Sequence, residues 1–83
     1  MSLSVEERKD LRNKLLKELY DYHFANSSTK AKPIADEIRD NEYKSAYLYL
    51  VDKGLIELEN FGHPALAGAK INAFGIDEVE NNM

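Results

Sequence analysis

The chain has no cysteine and no tryptophan. Without thiols there is neither a disulfide staple nor a thiolate metal site. That composition fits a reducing, cytoplasmic setting. No apolar run approaches the roughly 18 residues that span a bilayer, so a membrane is not an expected partner. The first ten residues, "MSLSVEERKD", lack the basic-then-apolar layout of a secretory signal. Glycine is sparse, and all four glycines (54, 62, 68 and 75) lie in the second half. Their isolation excludes a Gly-rich phosphate loop. Basic residues are nearly missing from the last third, where Lys70 stands against Glu57, Glu59, Asp77, Glu78 and Glu80.

What remains is 83 residues with a formal charge of -4, a length that predicts one domain over 1–83 with an ordered core over about 5–80. The first thirty residues carry a net +1, with six basic and five acidic side chains. The charge balance therefore leaves room for a local basic face in the first two thirds.

Catalytic patterns are missing too. His23 and His63 are far apart and have no second ligand at metal spacing. His23 reads as a partly buried helical side chain, and His63 as a turn residue. Asp36 and Asp40 are four apart and read as a solvated helix face. No nucleophile-elbow pattern occurs. The expectation is a protein that is not an enzyme, with no cofactor, no metal and no small-molecule ligand.

Local signals set an order of elements. Ser4 followed by Glu7 is a capping-box pattern opening a helix. Leu11, Leu15, Leu16, Leu19, Tyr20 and His23 recur along it at helical spacing, and "ANSSTK" ends it near Phe24 or Ala25. A second, shorter helix is predicted next, capped by Ser28 or Thr29 with Pro33 in its first turn. Ile34, Ala35 and Ile38 would form its apolar side. Asp40 or Asn41 caps a third helix, on which Tyr43, Ala46, Tyr47 and Leu50 share one face. Gly54 suits a left-handed stop, with Leu55 clipped back on Leu50. Ile56 and Leu58 alternate with Glu57 and Glu59, a half-buried strand. "NFGHPALAG" is turn material, and "AKI" returns as the partner strand. Asn72 caps a final short helix carrying Ile76 and Val79.

The predicted fold is thus mainly α with a small β-hairpin, an α+β class. The order helix, helix, helix, strand, wing, strand, helix resembles a winged helix-turn-helix domain. "YLYLVDKGLIELEN" resembles the place where the recognition helix of such domains ends in an L-x-x-x-G-L-I turn. "KINAFGIDEVEN" resembles the I-T-x-x-G-I-D-x-x-E ending of small bacterial and prophage-type winged-helix proteins. The layout is also similar to longer repressors of the multiple-antibiotic-resistance and phenolic-acid types. Asn72 stands where that ending often has Thr, which keeps the capping chemistry. Phe74 stands where a basic or polar residue is common.

The resemblance implies a transcriptional regulator that reads duplex DNA with its third helix, as a dimer, while the wing lies along the backbone or minor groove. Glu42, Lys44, Ser45 and Tyr49 are the candidates for base reading, and Lys30, Lys32 and Arg39 for phosphates. The wing would add His63 and, at its return, Lys70. A different class of function is also open, a non-catalytic interaction or dimerisation module that leaves DNA alone. Tyr22, Leu48, Phe61 and Phe74 are its candidate contacts, since surplus aromatic and apolar side chains suit interfaces. Partners are thus duplex DNA, a second copy, or another protein.

Overall fold

The computed structural model describes residues 3–26, 30–60, 62 and 64–81. Those residues form three α-helices and one three-stranded antiparallel sheet. Helix α1 runs Val5–Ala25. Ser4 Oγ accepts from the Glu7 amide at 3.1 Å, and the Glu7 carboxylate accepts from the Ser4 amide at 2.9 Å, so two otherwise unpaired donors are satisfied at once. Leu15, Leu16 and Leu19 form the buried stripe of this helix.

The segment after α1 departs from expectation. In place of a second α-helix the chain forms a two-residue strand, β1 (Lys32–Pro33), and a single 3-10 turn, Glu37–Arg39. The expected caps Ser28 and Thr29 lie outside the described residues. The reason for the change is local and tertiary together. A residue before proline is pushed out of the α region, which favours extended chain at Lys32. Pro33 has no amide hydrogen to lose and is tolerated on an edge strand. Ile34 then drops into the core, and its amide donates to Ala67 O at 3.0 Å. An isolated helix this short is marginal in water, so burial of Ile34 and pairing with the sheet win.

Helix α2 spans Asn41–Asp52. Asp40 caps it, accepting from the amides of Glu42 at 2.8 Å and Tyr43 at 3.4 Å. Ala46, Tyr47 and Leu50 are its buried face. The helix stops as expected. Gly54 has φ +76, its amide donates to Val51 O at 2.9 Å, and the Leu55 amide donates to Leu50 O at 3.0 Å. These two bonds form a Schellman closure, which glycine adopts without Cβ strain.

Strand β2 (Ile56–Glu59) leaves this turn at once and pairs with β3 (Gly68–Ile71). Ile56 sits opposite Ile71, and Glu57 opposite Lys70. Strand β1 pairs on the other edge of β3, so the sheet order is β1-β3-β2. Gly68 serves that second pairing, since a Cβ there would lie 3.1 Å from Ala31 Cβ. The loop between β2 and β3 carries a 3-10 turn at Pro64–Leu66. Helix α3 (Ala73–Asn81) follows β3 after one residue and packs against α1.

One cluster holds the described elements together, with Leu15, Leu19, Ile34, Tyr47 and Ile71 the largest side chains shut fully away from water. Burying such an aliphatic side chain stabilises by about 1.5–3 kcal/mol relative to leaving it exposed. No helix among the described residues is long and apolar enough to cross a membrane.

Candidate functional site

Helix α2 presents one face outward. Asn41, Lys44, Ser45, Leu48 and Asp52 fall within a third of a helical turn of one another, and all are exposed. Lys44, Ser45 and Leu48 are thus together on the surface as the sequence suggested. Arg39, on the 3-10 turn just before α2, and Lys30 are exposed as well.

Glu42, Lys32 and Lys70 sit differently. Glu42 is turned toward α1, where its carboxylate accepts from Arg8 Nε at 3.2 Å and from the Leu3 amide at 3.2 Å. The Arg8 guanidinium, then the Leu3 amide, hold the Glu42 carboxyl below the usual carboxylate range. Lys32 is half-buried, with its ammonium 3.6 Å from a Glu18 oxygen and 3.4 Å from a Glu37 oxygen. Two carboxylates around one ammonium leave little charge for a distant phosphate. Lys70 lies half-buried in β3 opposite Glu57. His63 and Phe61 lie outside the described residues.

Tyr49 belongs to a different surface. The Arg12 guanidinium sits 4.0 Å from its ring centroid and the Lys53 ammonium 6.0 Å from it. Both fall within the range of cation–π attraction. Lys9 and Glu78 line the same groove, which is open to solvent and holds about 250 Å³. Its apolar floor is Leu16, Leu50 and Leu55. Sequence reasoning missed this convergence of Lys9, Arg12 and Lys53. Lys9 and Arg12 are three apart on α1, and Lys53, the residue that ends α2, is four past Tyr49, so each pair was legible by itself. Their meeting depends on how α1 lies against α2, which no local spacing reveals.

Of the candidate interface residues, Phe74 is the most exposed large hydrophobic of those described, at 73%. Leu48 is 41% exposed on the outer face of α2. Tyr22 is half-buried and borders a shallow depression with Glu18, Asp21, Ala25 and Lys32. Phe24 is a further exposed ring, tilted against Tyr20 at 4.9 Å and edge-on to His23 at 5.0 Å. The Tyr20 hydroxyl donates to Glu80 at 2.9 Å, which ties the end of α1 to α3 and raises the Tyr20 pKa. Among the described residues, no group of three or more His, Asp or Glu side chains is placed to hold a metal ion.

The described elements define a small mixed α/β protein with a three-stranded antiparallel sheet. Comparison with family models, with curated proteins and with solved structures finds no match for this chain.

Proposed function

We propose that this chain is a non-catalytic winged helix-turn-helix module that binds duplex DNA through α2. The observation that carries the reading is an arrangement. Helix α2 runs directly into the β2–β3 hairpin, β1 closes the far edge of the same sheet, and the face of α2 opposite the core is exposed. The helix-turn-helix is then α1, the 3-10 turn at Glu37–Arg39, and α2, with the middle helix cut to one turn. An α-helix with an exposed outer face fits the major groove, and a hairpin beside it reaches the backbone. Ser45 would meet base edges, while Lys30, Arg39 and Lys44 would meet phosphates.

The reading predicts a modest electrostatic contribution. Three cations, Lys30, Arg39 and Lys44, give a slope of log K against log salt of about -2.7 for one copy. The test is fluorescence anisotropy with a short random duplex across a salt series. Replacing Lys44 with Ala should flatten the slope by about 1. Absence of binding at low salt, or a slope unchanged when all three are Ala, would overturn the reading.

A second reading is favoured by Leu48 and Phe74, both apolar and exposed. On it, the same scaffold is a protein-interaction module without DNA. Failure to enrich any duplex from a random library at low salt would favour it.

A further inference from the structure

We propose that two copies of this chain pair reciprocally, the Phe74 and Asp77 face of α3 on each copy seating in the Lys9–Arg12–Lys53 groove of the other. The inference is independent of DNA binding. It starts from charge. Lys9, Arg12 and Lys53 converge on a groove that one acid, Glu78, lines. Helix α3 carries Asp77, Glu78 and Glu80 and no basic residue. This cationic cluster and the acidic face of α3 therefore border one another at Glu78.

Position adds to charge. Phe74 and Glu78 are four apart on α3 and so share a face. Glu78 sits on the groove wall, which places Phe74 one helical turn from the groove rather than across the molecule. Two complementary patches side by side on one surface are what a two-fold interface requires. Rotation by half a turn brings each patch onto the other copy's complement. Phe74 then supplies an apolar anchor for the leucine-floored groove, and the cations surround it with acid-binding positions. Within one chain this is unattainable, because Phe74 remains 73% exposed beside a groove it does not fill.

The test is sedimentation equilibrium of the full chain from low to high micromolar concentration, at low and high salt. Dimerisation should weaken as salt rises. Phe74→Ala should raise the dimer dissociation constant by about tenfold or more. Charge reversal gives the sharper result. A groove variant (Lys9→Glu with Lys53→Glu) and a helix variant (Asp77→Lys with Glu78→Lys) should each be monomeric while retaining the wild-type far-UV circular dichroism. Mixed together they should form a heterodimer, since each now complements the other twice. A wild-type monomer at high micromolar concentration overturns the proposal. So does a mixture that stays monomeric, or a groove variant that dimerises as wild type does.

Discussion

The side-chain amide of Asn72 donates to the carbonyl oxygen of Gly54 at 2.8 Å, and this bond joins two stretches that the sequence separates by eighteen residues. The same side chain accepts from the Gly75 amide at 3.0 Å and so caps α3. The Asn72 backbone amide donates to Leu55 O at 3.1 Å. The turn that stops α2 and the turn that starts α3 are therefore one unit. Ile56 opposite Ile71 continues the seam into the sheet.

Removing Asn72 should loosen both turns. Asn72→Ala loses the cap and the donor to Gly54, and the cap alone is worth about 1 kcal/mol. Water reaches the exposed Gly54 carbonyl, so the second loss adds little, and the total should be about 1–2 kcal/mol. In thermal unfolding, that is a drop of roughly 4–8 °C per kcal/mol for a domain of this size. Asn72→Asp should fall between, because it keeps an acceptor for Gly75 but sets a carboxylate against Gly54 O. An alanine variant as stable as wild type would remove Asn72 from this role.

The glycines on either side of the seam should respond differently to a methyl group. At Gly54 a Cβ meets open space, but φ +76 disfavours any L side chain. Gly54→Ala should cost about 1–2 kcal/mol. At Gly75 a Cβ would run into the Leu55 carbonyl oxygen and the Ile71 side chain. Backbone cannot yield as a side-chain tip can, so Gly75→Ala should cost about 3 kcal/mol or more. Urea denaturation of the two variants should rank them in that order, and the reverse order would mean that α3 does not pack this closely.

Both glycines were visible in the sequence, though for different reasons. Gly54 was legible as a helix stop because Leu50, Gly54 and Leu55 stand at Schellman spacing. Gly75 was noticeable only through its place in the "INAFGID" ending, and its physical role needs the Leu55 carbonyl to be seen beside it. Caps at Ser4, Asp40 and Asn72 were legible because their partners lie within three residues. The helix expected over residues 30–40 was not, since Ile34 answers to Ala67 and Lys32 pairs with Ala69, both far along the chain. The candidate surfaces split in the same way. Lys44, Ser45 and Leu48 follow from helical period alone. The diversion of Glu42 to Arg8 and of Lys32 to Glu18 and Glu37 depends on neighbours that packing supplies.

Acid should weaken the fold through Glu42. Its carboxyl pKa is depressed in the folded state by the Arg8 guanidinium and the Leu3 amide. A depressed carboxyl contributes stability above its unfolded pKa and loses it as pH falls through the folded value. Arg8→Ala should therefore be less stable than wild type at neutral pH, and the two should converge as pH falls through the folded Glu42 value. Glu7, lowered by Ser4, is common to both proteins and cancels in the comparison. The measurement is the difference in denaturation midpoint across pH, and a difference that stays constant would mean the pair contributes packing rather than charge.

Tyr47 carries a hydroxyl that the core does not use. The residue is fully buried, and its oxygen has no hydrogen-bond partner of good geometry. Burial, then the Glu37 carboxylate, pushes its pKa well above the usual phenol range. A buried hydroxyl without a partner costs desolvation and returns nothing. The ring itself is central, and Tyr47→Ala should lose about 3–5 kcal/mol. Tyr47→Phe keeps the ring and removes the unsatisfied oxygen, so its stability should equal or exceed that of wild type, by up to about 1 kcal/mol. Urea unfolding with an unchanged slope gives the comparison directly. A loss of more than about 1 kcal/mol would mean that the hydroxyl finds a partner in solution, with the Glu37 carboxylate a candidate acceptor.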